Sequence, residues 1–309
     1  MFLTPKQAND KDFITELAGQ IIQRPVFSVK ESGGQIAYNY EINNKWILKL
    51  PSHRTDTDHW IEQSQYMPKL QDRLKYQIPI PEISKIQLNK GKLIGCFYPK
   101  IKGQTFSKVT FHQRTMQQKI RFFEQLSDAM TQIHQIGVDS LGYSFPDFLQ
   151  QTAMFLFKNE PEKQMLFSEK VKSYLAQHKI YPQNNLLCHT DLHSNNVVLD
   201  DKQRLVGLLD FDTFSRADIY AEFRPGLYQS QDLNLFRQIY QEQTKTTISP
   251  KVVQCMHQLY RDALLLFSIG SLIKSANVRL KPKTKLISQK DIKRVFDATP
   301  DCWASFAKD

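Results

Sequence analysis

Cysteine is scarce in this chain and poorly placed for chemistry. Cys96, Cys188, Cys255 and Cys302 lie far apart, with no CxxC pair to hold zinc or run a redox cycle and no dense framework to staple a secreted domain. They read as reduced thiols of a cytoplasmic protein. Long apolar runs are also missing. The greasiest stretch, 263–273, is broken by Ser268 and Ser271 and is too short to span a bilayer, so it reads as a buried helix and no membrane partner is expected. The opening MFLTPKQANDKDFITELAG carries charge too early for the apolar core of a signal peptide. There is no internal repeat and no low-complexity tract. No Lys- or Arg-rich block stands out either. The 41 Lys and Arg exceed the 31 Asp and Glu by ten, a balance that favours anionic partners such as nucleotides, phosphorylated metabolites, nucleic acid or a membrane surface, yet they are scattered, which reads as a solvated basic surface. No nucleic-acid partner is expected.

What is present is enough apolar material, 41% of 309 residues, for one large domain or two lobes. From Val26 to Leu50 the pattern alternates with period two: VFSV, the loop ESGGQ, IAYNYEI, an Asn43-Asn44 turn, then KWILKL. Three antiparallel strands are predicted, since two asparagines tolerate the positive φ of a tight hairpin turn. Residues 56–76 read as a helix interrupted or restarted at Pro68 and ended by IPIPEI. ISKIQL and KLIGCFY around Asn89 to Gly91 form a second hairpin, which brings the first hundred residues to about five strands. Composition then turns helical. Residues 111–136 carry an apolar stripe at Ile120, Phe123, Leu126, Met130 and Ile133, ended by Gly137. Further helices are expected at 147–158, 162–177, 231–243, 250–275 and 288–297, with a single β-rich island at 186–212. The expected class is therefore α+β, with chemistry at the island.

That island reads CHTDLHSNNVVLDDKQRLVGLLDFD from Cys188 to Asp212. A loop from His189 to Asn196 leads into the strand Val197 to Leu199, a turn follows at Asp200 to Arg204, and Leu205 to Leu209 return to Asp210. Both polar clusters then fall at one end of a hairpin, where a carboxylate and an amide oxygen can grip a hard cation such as Mg²⁺ on a nucleotide's phosphates. Asp191 is left to orient a nucleophile. Two readings compete. His189 and His193 have the four-residue spacing of paired zinc ligands on a helix, although HTDLHSNNVV is poor helix material and no Glu follows His189. The bland alternative is a polar loop whose Asp and Asn only hold a turn.

The strings HTDLHSNN at 189–196 and LLDFD at 208–212 resemble the catalytic loop and metal-binding strand of the aminoglycoside phosphotransferase and choline kinase superfamily, relatives of protein kinases. WILKLP, YMPKL with IPIPEI, FYPKIKGQTF and RADIYAEF are similar, in the same order, to that family's lysine strand, following helix and connection, inter-lobe hinge and post-metal segment. The resemblance implies a two-lobed protein-kinase-like fold: a nucleotide-binding antiparallel lobe at 1–98, a hinge at 99–103 and a mostly helical lobe at 104–309. It implies Asp191 as catalytic base, Asn196 and Asp210 as Mg²⁺ ligands, and His189 as loop support. Lys49, rather than the turn residue Lys45, would reach the α- and β-phosphates of ATP or GTP, with Glu62 pairing it from the following helix. The Ser32-Gly33-Gly34-Gln35 loop would cover the phosphates through backbone N–H groups. The Pro99 carbonyl and Ile101 N–H would read the base edge. Asp212 would touch a second metal or the substrate, or stand as a solvated strand end. Thr190 replaces a common glycine and Glu222 a common aspartate.

The activity implied is transfer of a γ-phosphate to a hydroxyl of a small molecule, an aminoglycoside-type antibiotic being one such acceptor and choline, sugars or amino alcohols others. A non-catalytic nucleotide-binding regulator is the reading from another class. A cationic acceptor calls for an acidic pocket, for which Asp139, Asp147, Asp218, Glu222, Asp232 and Asp262 are the candidates, against a net charge of +10.

Overall fold

The computed structural model describes residues 1–33, 37–52, 55, 57–89, 91–105, 111–141, 150, 161–162, 164–165, 168–169, 186–192, 194–223, 230–250 and 253. The chain divides into two compact units, one of Met1–Ser144 with Ser194–Thr213 and one of Phe145–His193 with Phe214–Asp309.

The first unit opens on two helices, α1 (Pro5–Ala8) and α2 (Lys11–Ile22), each started by a side-chain cap: Thr4 with Gln7 in a reciprocal capping box, then Asp10 accepting from the Phe13 N–H. Five antiparallel strands follow: β1 (Val29–Gly33), β2 (Ala37–Ile42), β3 (Trp46–Pro51), then, after helix α3 (Thr57–Gln71), β4 (Glu82–Leu88) and β5 (Gly91–Pro99). Their order in the sheet is β1-β2-β3-β5-β4, the five strands expected. The β2–β3 turn is tight because Asn43 and Asn44 take φ of 52° and 53°. The Asn43 side chain also accepts from the N–H of Phe27 and Ser28 and donates to the Pro25 carbonyl, pinning the incoming chain. Period-two alternation sorts the strands into two faces. Ile42, Leu48, Leu50 and Phe97 pack under α2 residues Ile14, Leu17 and Ile21. Cys96 and Tyr98 point the other way, against Trp60 of α3. Helix α3 runs through Pro68 without a restart, and Met67 and Leu70 on either side of it are fully buried, so packing outweighs the hydrogen bond that proline cannot donate.

A two-residue strand β6 (Gln104–Thr105) and a long helix α4 (Met116–His134) come next, the helix capped by a Thr115–Gln118 box and burying Phe123, Leu126, Met130 and Ile133 as the stripe predicts. In the second unit β7 (Leu186–Cys188) pairs with a later strand, while the hairpin β8 (Val197–Leu199) and β9 (Leu205–Leu208) belongs to the first unit. That later strand is β10 (Ser215–Ala217), and helix α5 (Ser230–Thr244) follows where 231–243 was expected. The helices expected at 147–158, 250–275 and 288–297, and most of 162–177, lie outside the described residues. Among the described residues no helix is long and apolar enough to cross a membrane.

Hydrogen bonds fasten the β8–β9 hairpin into the first unit. β6 pairs with β8 in a sheet ordered β6-β8-β9. Gln77 then ties β9 to the connection after α3, donating to the Val206 carbonyl and accepting from the Leu208 N–H, both at 2.9 Å. The Gln125 side chain of α4 accepts the Leu205 N–H at 2.7 Å. Two glycines permit this close approach. A Cβ on Gly207 would meet Ile101 at 2.8 Å, and one on Gly103, whose φ is +139°, would meet the Leu199 carbonyl oxygen at 2.3 Å. Gly103→Ala is therefore expected to cost about 2–4 kcal/mol in urea unfolding. Gly137→Ala, where a Cβ meets nothing within 4 Å, serves as control; equal losses in the two variants would refute the close-approach account.

Candidate active site

In the first unit β3 carries Lys49 between Asn39 of β2 and Cys96 of β5, on the face away from Leu48 and Leu50. Only 15% of the side chain is exposed, and Nζ stands 3.6 Å from Asp212 Oδ2. Burial alone would lower the Lys49 pKa, but the Asp212 carboxylate, with Asp210 adding to it, overrides burial and holds the ammonium above its ordinary value. Burial likewise works to raise Asp212, and Lys49, His59 and the Gln63 amide outweigh it, keeping the carboxyl below the usual range. Gln63 Nε2 donates to Asp212 Oδ1 and to the Phe211 carbonyl, each at 3.2 Å. Lys49, Gln63, Asp210 and Asp212 line one cavity of about 10 Å³, room for roughly a single water. Cys96 and Tyr98 form its wall; burial pushes both pKa values up to about 12, so neither adds an anion near Lys49 at neutral pH.

The hairpin end delivers the proposed metal ligands. Leu209 donates its N–H to the Asn196 carbonyl at 2.8 Å, which sets Asn196 beside the start of the 210–212 segment. Asn196 is buried, whereas Asp210 is exposed and adopts a left-handed φ of 60°. Aspartate tolerates that conformation better than most residues, though not without a cost of about 1 kcal/mol. Residues 211–213 then wind into a single 3-10 turn, which points Asp212 back at Lys49.

Glu62 is not brought to Lys49. It is exposed on α3, and the residue that faces the cavity is the next one, Gln63, because one step along a helix turns the side chain by about 100°. The signal was in the sequence: Trp60, Gln63, Met67 and Leu70 form one buried stripe, and an amide in such a stripe must find hydrogen-bond partners. Lys45 is exposed in the turn, where its carbonyl accepts the Lys100 N–H at 2.8 Å. At the hinge, Pro99 is exposed at the end of β5, paired with Trp46, and Ile101 is buried against Gly207. Gly33 closes β1 at a register irregularity, opposite Asn39. Gly34 and His193 lie outside the described residues.

The second unit holds the other part of the loop. β7 pairs with β10, aligning Cys188 with Ser215. Immediately after β7, Glu222 receives two consecutive backbone donors: His189 N–H to Oε1 at 2.6 Å and Thr190 N–H to Oε2 at 2.9 Å. All three residues are buried. This clamp fixes a conformation that threonine resists, since Thr190 has φ of 63° and is β-branched. Glu222 follows a short turn over Ile219–Ala221, capped by the Asp218 side chain on the Tyr220 N–H at 3.0 Å. Phe223 anchors that turn on Phe236 and Tyr240 of α5. Asp191 comes out of the clamp partly exposed, donating its N–H to His189 Nδ1 at 3.3 Å. Asp191 thus sits on a loop whose preceding two residues are bonded through their backbone to Glu222. Asp218 and Glu222, candidates for an acidic acceptor pocket, are committed to a cap and a clamp; Asp147 and Asp262 lie outside the described residues.

Two outcomes are expected. Glu222→Ala strands two buried amides, worth about 1–3 kcal/mol each, and should speed hydrogen exchange at His189 and Thr190 by on the order of a hundredfold; unchanged protection would rule the clamp out. The depressed Asp212 pKa makes its contribution to stability full above the unfolded value of about 3.9, and that contribution is lost as pH falls through the lower folded value. The stability gap between wild type and Asp212→Asn should accordingly stay constant from pH 7 to about pH 4 and close below it. A gap persisting unchanged to about pH 2 would contradict the ion pair.

A family model described as the phosphotransferase enzyme family matches residues 30–246. No curated protein matches the sequence at a significant level. Among solved structures, the chain is similar to aminoglycoside 2'-phosphotransferase-IIIa in its GDP complex, with a TM-score of 0.63, 16% identity, and 94% of this chain and 96% of that one covered. It is also similar to a spectinomycin phosphotransferase in complex with ADP and spectinomycin (TM-score 0.58, 16% identity, 94% of each chain). A third is the macrolide 2'-phosphotransferase of Brachybacterium faecium (TM-score 0.57, 17% identity, 91% of this chain and all of that one). At such identities the structures speak for a protein-kinase-like α+β fold, and the family match over more than half of the sequence settles membership: the chain belongs to the phosphotransferase enzyme family and is a small-molecule phosphotransferase.

Proposed function

We propose that the chain transfers the γ-phosphate of ATP or GTP to a hydroxyl of a small molecule, with Mg²⁺ as the cofactor. The observation that carries this reading is the convergence of a buried, charged lysine, Lys49, and the exposed Asp210 on one cavity, with Asn196 bonded to the residue before Asp210. The donor set fits a hard cation: an exposed carboxylate, Asp210, on the segment bonded to the Asn196 backbone, and the Asn196 amide offer oxygen ligands and no sulfur or imidazole. Asn196 and Asp210 would hold Mg²⁺, which supplies charge neutralisation on the phosphates.

The chain's own residues account for the rest. Lys49 offers a permanent positive charge to the α- and β-phosphates. The Gly33 end of β1 would approach them through backbone N–H groups, and the hinge at Pro99 and Ile101 would meet the base edge through its main chain. Asp191 accepts the acceptor's hydroxyl proton as that oxygen bonds to the γ-phosphorus and the bond to the β–γ bridging oxygen breaks. His189 and Glu222 touch neither reactant and hold the loop that presents Asp191. Phosphoryl transfer depends on positioning and charge more than on covalent chemistry, so this small set is sufficient.

For the acceptor, the similar structures are of enzymes for aminoglycosides, spectinomycin and macrolides, so hydroxyls of antibiotics of that type are the first to test. The decisive experiment scores consumption of Mg-ATP and Mg-GTP against aminoglycosides, macrolides, choline, amino alcohols and sugars. Asp191→Ala is expected to lower turnover on the accepted substrate about a hundred- to ten-thousandfold while leaving nucleotide KM nearly unchanged. Equal turnover in wild type and Asp191→Ala would overturn the assignment of the base. Nucleotide binding with no turnover on any acceptor would favour a regulatory role instead.

A further inference from the structure

A lysine that positions phosphates needs a counter-ion of its own, and in protein kinases the helix after the lysine strand supplies it as a glutamate. In this chain that helix, α3, presents no carboxylate to Lys49. Glu62 is exposed, and the buried stripe carries the neutral Gln63 instead. Among the described residues the carboxylate paired with Lys49 comes from Asp212, at 3.6 Å. Gln63 reaches across from α3 to hold it, sharing its amide hydrogens between Asp212 Oδ1 and the Phe211 carbonyl, with a His59 ring nitrogen 3.0 Å away one helical turn earlier.

Taking Lys49 as the phosphate-binding lysine of the reading above, we infer that Asp212 is its counter-ion and Gln63 the positioning residue by which α3 grips that carboxylate. The acidic partner has moved from the helix to the segment after the metal-binding strand. Two consequences follow from where Asp212 sits. It is two residues from Asp210, in the three-residue turn that follows directly after it, so the lysine's partner and the proposed metal ligand are set by one short segment. Displacing α3 would then disturb the lysine only through Gln63, by releasing Asp212, and not by withdrawing a charge. A neutral residue at 63 is also required by the arrangement itself, since a carboxylate there would stand against Asp212 with a single ammonium to satisfy both.

Relocating the charge tests this. Asp212→Asn, Gln63→Glu and the double variant are purified as full chains and compared with wild type by thermal unfolding without nucleotide and by MgATP steady-state kinetics. Asp212→Asn should lower the unfolding midpoint and raise the MgATP KM by about tenfold or more, with a smaller effect on kcat, because an unpaired buried lysine is both costly and free to swing. Gln63→Glu alone should also lower the midpoint. The double variant returns one carboxylate to the lysine from the helix side and should recover most of both losses. A double variant no better than Asp212→Asn in either measurement overturns the inference, and so does an Asp212→Asn protein identical to wild type. If Asp212→Asn does not fold, folding of the double variant is the rescue and its failure the refutation. Failure of the phosphotransferase reading is separate: wild type would then turn over no nucleotide, while the unfolding comparison still decides the ion pair.

Discussion

A charged lysine inside a sheet is the constraint around which the first unit is arranged. Lys49 lies on a strand flanked by fully buried leucines, and an ammonium so placed is stable only if a carboxylate is brought to it. The 3-10 turn at Phe211–Thr213 does this, and the turn can be there only because the β8–β9 hairpin is fastened to the sheet unit by β6, Gln77 and Gln125. Close approach through Gly103 and Gly207 is what lets the hairpin come so near. A local electrostatic need thus accounts for a long-range feature of the fold.

Backbone strain falls at two places where chemistry is expected, as well as in turns and at helix ends elsewhere. Thr190 and Asp210 sit at positive φ, one just before the candidate base Asp191 and one itself a candidate metal ligand. Each conformation is over-determined by its surroundings: two backbone bonds to Glu222 at Thr190, and the Leu209–Asn196 bond with the following turn at Asp210. Reactive side chains presented from strained loops on a rigid scaffold are a recurrent way to combine exposure with precision. Cys188, directly before the clamp, is raised well above the ordinary thiol pKa by burial and then by Glu222, which leaves it inert packing.

Where the sequence was legible, the signal was local. Alternating residues and the Asn43-Asn44 pair marked β2 and β3, the stripe through Phe123 and Met130 marked α4, and HTDLHSNN with LLDFD marked the residues that the structure sets around the clamp and the hairpin end. Helix α2 has no counterpart among the elements expected from the sequence, although Asp10 caps it and Ile14, Leu17 and Ile21 form its stripe. The β7–β10 pair was hidden as well. Three-residue strands have no measurable period, and their partnership depends on segments 27 positions apart in the Leu187↔Arg216 and Cys188↔Ser215 alignments, counted at the closer pair.

The sequence by itself determined which residues are candidates for the chemistry, and that an α+β chain of kinase-like pattern presents them, since strand alternation, helix stripes and loop composition are properties of neighbouring residues. Only the tertiary structure decided which carboxylate answers Lys49. Glu62 and Gln63 differ by one position in the sequence but by about 100° on the helix, and Asp212 is 163 residues beyond the lysine it meets. The same holds for Glu222, which composition presents as one more surface acid and which the fold buries as the clamp on the loop bearing Asp191. Charge pairing acts through space, and the register that brings two distant segments within reach is written in packing, not in spacing along the chain.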